Sequence, residues 1–322
     1  MKNKESFING ALWLSVSAII LKIIGLIYKI PISYLLGDEG MGIFNSAYTV
    51  YTFFYIIGSA GIPKAISIIT SKMEAESTGS SIVIYRTAFL VIGISGFVLM
   101  GIFLILSGPF STFIGNNTSF FAMLSIAPTV LFVTLSGVLR GYFSGKMKFS
   151  YVAISELISG ISKLLLGLLF AFFGIKSNFE LPIVCAISIL GITFGSFFGF
   201  IYLYISNKRI INMAEYKKAK FKLRYMKDIL SLAAPITFSA ALGSIVNIFD
   251  LSIMIKGLIN SGYSKTLATA LYGNYTTLTV PMLGMVTSII NPISMSIQPI
   301  LTKNYLAKDK AALELNINSC MS

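Results

Sequence analysis

The chain has 322 residues, of which 55% are hydrophobic and only 11% charged, and its mean hydropathy is +0.82. Soluble domains carry roughly 25% charged residues, so an ordinary soluble domain is excluded and a polytopic, all-α membrane protein is expected. The net charge of +13 would otherwise invite a nucleic-acid partner, but the basic residues are concentrated between apolar runs, which argues against one. Histidine is absent, and Cys185 and Cys320 stand far apart with no CxxC or ligand spacing. That gives no disulfide framework and weakens any zinc-site or hydrolase reading, so neither a cofactor nor enzymatic activity is expected.

A membrane-spanning helix needs about 20 mostly apolar residues. In chain order, that rule marks eight spans: Phe7–Leu36, Ile43–Ser71, Ile82–Leu106, Phe120–Arg140, Ser150–Gly174, Leu181–Ser206, Ile229–Ile255 and Leu267–Leu301. The first is too long for a signal-peptide core and reads as a retained helix. The last holds Pro281 and Pro292, which are expected to kink it.

Between spans six and seven lies Asn207–Asp228, with eight Lys/Arg against Glu215 and Asp228. Cytoplasmic loops carry such an excess, so this loop is expected on the inner face together with the N-terminus. On that alternation 18 basic residues fall at inner positions, and only Lys176, Lys256 and Lys265 fall at outer ones.

Three regions follow: a six-helix bundle over 1–206, the basic inter-bundle loop 207–228, and the start of a second bundle over 229–322. Gly61–Lys72 and Asn291–Lys303 both carry a proline break before an apolar, lysine-terminated end, consistent with a parallel repeat. Six spans followed by two suggest part of a protein with twelve or more.

Ionisable groups in hydrocarbon cost about 2.5–3.5 kcal/mol on insertion scales, so those inside spans need a reason. Lys22 lies roughly 22 Å into span one, counted at 1.5 Å per residue, and is a candidate substrate-binding cation. Lys29 is a second candidate, although snorkelling to the interface also accounts for it. Lys64, a third candidate, follows the helix-breaking pair Gly61 and Pro63, where a bend beside a cation can line a cavity; a packing kink with Lys64 reaching the inner face also accounts for it. Glu156 and Lys163 are seven apart on one face of span five and suit charge compensation. Asp250 is either an interfacial carboxylate or a coupling site for a cation or proton. Gly191, Gly195 and Gly199 recur every fourth residue, which suits close helix packing.

The ordered runs KIIGLIYKIP (Lys22–Pro31), LGDEGMGIFNSAY (Leu36–Tyr48), GIPKAIS (Gly61–Ser67) and LRGYFSG (Leu139–Gly145) resemble a known family. It is the stage V sporulation protein B-like branch of the polysaccharide exporters, in the multidrug/oligosaccharidyl-lipid/polysaccharide flippase superfamily, related to lipid II flippases. Lys163 keeps the family's basic position, whereas Ser144, Glu156 and Ser159 depart from its pattern.

The resemblance implies two bundles rocking about a central cavity. There the head group of an undecaprenyl-linked saccharide crosses during cell-envelope or spore-cortex synthesis while its lipid tail stays in the bilayer. The partners implied are that substrate and membrane lipids. A cation-coupled multidrug exporter of the same superfamily is the alternative, with Asp250 as its carboxylate. A membrane glycosyltransferase or saccharide polymerase is a further one.

Overall fold

The computed structural model describes residues 2–76, 81–210 and 223–282, which are helical apart from short turns. Helix α1 spans Lys2–Ser59, α2 Ile62–Glu76, α3 Ile82–Phe113, α4 Phe120–Gly145, α5 Phe149–Lys176, α6 Leu181–Ile210, α7 Leu223–Asn260 and α8 Lys265–Asn274. A 3-10 turn, Asn117–Ser119, precedes α4. The helices α6 and α7 extend into the basic loop from both sides, and residues 211–222 lie outside the described residues.

Two boundaries differ from the expectation. The gap expected between spans one and two contracts to one non-helical residue, Gly37, at φ 64° and ψ −177°. Only a residue without a Cβ adopts that backbone cheaply, so the turn needs no loop. The two arms of α1 then lie side by side, since Tyr28 on one and Tyr48 on the other both meet the Lys163 ammonium.

The expected second span, in turn, breaks at Ala60–Gly61 and restarts as α2. Pro63 falls in the first turn of α2, where its missing N–H has no helical partner to lose. Counting α1 and α2 as one stretch, six segments of the described residues are long and apolar enough to cross a membrane.

Small residues set how closely the helices approach. A Cβ on Gly191 would lie 2.5 Å from the Gly167 backbone, one on Gly195 2.6 Å from the Ser159 carbonyl, and one on Gly199 2.9 Å from the Ser155 carbonyl. The four-residue glycine series is therefore the seam on which α6 packs against α5. Gly61 is buried, and a Cβ there would strike the Ala233 carbonyl and Thr237 of α7.

Two apolar clusters tie the elements together. One gathers Ile43, Ala47, Phe54, Phe103, Met123, Ile126, Ile189, Leu251 and Tyr272; Phe54 and Phe103 stack at 4.6 Å. The other gathers Ile66, Tyr85, Leu139, Tyr142, Phe143, Ile229 and Ala233. Residues up to Asn274 form one compact unit, so α7 and α8 pack on the first six helices.

The described residues of the second unit begin with a π-helical turn, Tyr275–Thr279, just before Pro281. Wide turns of this kind accompany kinks in apolar helices. Pro292 and the rest of the expected eighth span lie outside the described residues.

Candidate functional site

A cavity of about 560 Å³ opens among both arms of α1 and helices α4, α5 and α6. Each wall contributes a different chemistry. The first arm of α1 presents Leu21, Ile24, Gly25 and Tyr28. The second presents Tyr48, Tyr51, Thr52 and Tyr55, which share one helical face at spacings of three and four residues. Neighbouring rings of this row sit 5.7 Å and 5.8 Å apart. Arg140 enters from α4, Glu156, Ser159, Gly160 and Lys163 from α5, and Ile192 and Ser196 from α6.

The charges are paired in a specific way. Arg140 Nη1 meets Glu156 Oε1 at 3.3 Å, with both side chains partly shielded from solvent. Lys163 Nζ lies 5.0 Å from the Tyr28 ring centroid and 5.6 Å from that of Tyr48. In a desolvated setting such cation–π contacts hold an ammonium without neutralising it. The cavity therefore keeps two cations against one carboxylate.

Its polar inventory is also incomplete. The Tyr28 hydroxyl and Arg140 Nε are buried with no hydrogen-bond partner among the described residues. Both are donors, and a buried unpaired donor costs about 1–3 kcal/mol. The arrangement suits a ligand rich in acceptor oxygens: a phosphate for the cations, and sugar hydroxyls for the tyrosines and serines.

The sequence-derived candidates distribute unevenly around this site. Glu156 and Lys163 line it, but Glu156 pairs with Arg140 while Lys163 sits in its aromatic cage. Lys29 is half-buried, within electrostatic reach of Lys163. Lys22 and Lys64 are exposed and do not line the cavity, and Asp250 is exposed on α7. Gly61 and Pro63 serve packing: Pro63 lies against Gly137 and Gly141 of α4.

From sequence alone Arg140 reads only as one of the 18 basic residues at inner positions, and the cavity's tyrosines are not among the candidates. The 48–51–52–55 spacing was the signal that could have exposed them.

The match to known proteins decides the family. Residues 7–305 match the family described as polysaccharide biosynthesis protein. The chain belongs to that family.

Among curated members' relatives, it is 22% identical to stage V sporulation protein B of Bacillus subtilis (strain 168) across 99% of this chain and 62% of that protein. It is 26% identical to the lipid II flippase MurJ of the same organism, across 98% of this chain and 61% of that protein. This family member thus spans about three fifths of the length of those relatives. Among solved structures, it resembles an inward-facing multidrug resistance MATE family transporter of the MOP superfamily. The TM-score is 0.72 at 14% identity, covering 97% of this chain and 69% of that one. That likeness establishes the helical fold alone.

Proposed function

We propose that this chain takes part in moving a lipid-linked saccharide across the cell membrane by alternating access, and that the cavity receives its phosphate-sugar head group. The observation that carries the reading is the cavity's surplus of donors: Arg140 and the caged Lys163 against Glu156, with the Tyr28 hydroxyl and Arg140 Nε unpaired among the described residues. A pyrophosphate supplies the missing acceptors, and the tyrosine row offers flat faces for sugar rings. The names of the two Bacillus relatives, a sporulation protein and a lipid II flippase, support cell-envelope or spore-cortex synthesis as the setting.

Within this reading the charged residues sort by distance from the cavity. Lys163 is a substrate-binding group and Lys29 reinforces its field, while exposed Lys22 and Lys64 attract the anionic head group from outside the cavity. Residues 1–206 would form the substrate-holding bundle, 207–228 the basic connection, and 229–322 the start of a second bundle. The bias of Lys/Arg supports placing the N-terminus and the basic connection in the cytoplasm. For the multidrug alternative, Asp250 would have to reach the cargo, and it is exposed on α7 and outside the cavity.

The test is binding by the chain in nanodiscs, with lipid II and a cationic dye as rival ligands. Lipid II is expected to bind and to lose at least tenfold in affinity in Lys163→Gln. Dye binding that lipid II leaves unaffected, with no lipid II binding, would overturn the proposal.

A further inference from the structure

A second cavity, separate from the charged one, has a different chemistry. It is a groove of about 310 Å³ between the far end of α3, the second arm of α1 and α7. Phe53, Phe110, Phe113, Ile245, Ile248 and Phe249 shape it, and every residue lining it is apolar. Phe113 and Phe249 cross edge to face at 5.9 Å, and both are substantially exposed. Water gains nothing in such a groove, whereas hydrocarbon fills it without losing a hydrogen bond.

A cation stands beside one of the rings that line the groove. Lys256 Nζ stands 5.0 Å from the centroid of the Phe113 ring. Its stem runs over Gly115, where an added Cβ would sit 3.2 Å from Lys256 Cγ. The backbone beneath is held in turn, since the Ser252 hydroxyl donates to the Phe113 carbonyl at 2.8 Å. Lys256 forms no ion pair among the described residues, so its N–H donors remain available. An apolar slot with a cation fixed over its end ring matches a ligand with a hydrocarbon chain and an anionic head.

We propose that this groove binds an acyl chain of an anionic phospholipid of the surrounding bilayer, with Lys256 holding the phosphate. The size of the groove favours a single acyl chain over the longer isoprenoid of a lipid-linked saccharide. The site is independent of the transport cavity: it shares no lining residue with it.

The experiment is native mass spectrometry of the full chain, titrated in parallel with phosphatidylglycerol and phosphatidylethanolamine. The unaltered chain is expected to retain phosphatidylglycerol about fivefold better, the worth of one lysine beside an anionic lipid. Lys256→Gln should erase that preference and leave phosphatidylethanolamine retention unchanged. Ile245→Trp, which fills the groove, should lower retention of both lipids, with circular dichroism confirming an intact fold. Should Ile245→Trp fail to fold, Phe113→Ala must still reduce the phosphatidylglycerol preference.

The proposal is overturned if Lys256→Gln keeps the preference or if a folded Ile245→Trp retains both lipids normally. It is also overturned if undecaprenyl phosphate displaces phosphatidylglycerol from the unaltered chain, because the occupant is then an isoprenoid chain.

Discussion

Arg140, Glu156 and Lys163 carry three charges in a partly desolvated cavity, and their neighbours decide what each substitution costs. Arg140→Gln strands the Glu156 carboxylate, with which Arg140 pairs at 3.3 Å. Removing one partner of a fully buried pair costs about 3–5 kcal/mol, and the partial exposure of this pair lowers that to about 1–2 kcal/mol. Thermal unfolding in detergent should show the loss, and Arg140→Gln combined with Glu156→Gln should recover most of it.

Lys163→Met behaves oppositely. The thioether keeps its contacts with the Tyr28 and Tyr48 rings and sheds a desolvated charge, so the melting temperature should hold or rise. Lipid II binding should nevertheless fall at least tenfold. Lys22→Ala, at an exposed position outside the cavity, should weaken binding only about two- to fivefold, the effect of one screened charge.

Among the elements, two glycines are needed for opposite reasons. Gly37 has open space around it, but its φ of 64° and ψ of −177° are open only to glycine. Gly37→Ala should therefore destabilise by about 1–3 kcal/mol through backbone strain alone. Gly191 is helical and unstrained, but a Cβ there would press on the Gly167 backbone. Gly191→Leu should force α6 off α5 and cost about 1–3 kcal/mol, the usual range for overpacking. Because that seam also positions Ile192 and Ser196 in the cavity wall, lipid II binding should weaken with stability in Gly191→Leu. Parallel melting and binding measurements separate the two cases, since Gly37 lies outside the cavity lining.

For the whole molecule, the testable property is orientation. Asn178 sits exposed in the turn between α5 and α6, and Lys218 belongs to the basic connection. In a background where Cys185 and Cys320 are replaced by serine, Lys218→Cys should react with an impermeant maleimide only from the cytoplasmic side. Asn178→Cys should react only from outside. Labelling of both from the same side would contradict the alternation drawn from the Lys/Arg bias.

Much of this protein was legible before any coordinates. Composition fixes the membrane class, run length locates the first seven spans within several residues apart from the break at Ala60–Gly61, and the Gly191–Gly195–Gly199 spacing marks a packing seam. These are local or periodic properties, which a linear chain displays directly. The site was not legible in the same way. Glu156 and Lys163 look like a pair on one helix face, but tertiary packing gives Glu156 to Arg140 on α4 and Lys163 to tyrosines on both arms of α1.

The physical reason is that lipid tails and helix interiors are equally apolar, so hydropathy does not say which face of a transmembrane helix turns inward. Close backbone approach at small residues sets each helix's rotation, and that rotation decides which charges meet. The class of the chain and most of its spans were thus written in its sequence, whereas the cavity exists only once five helical walls have been turned to face one another.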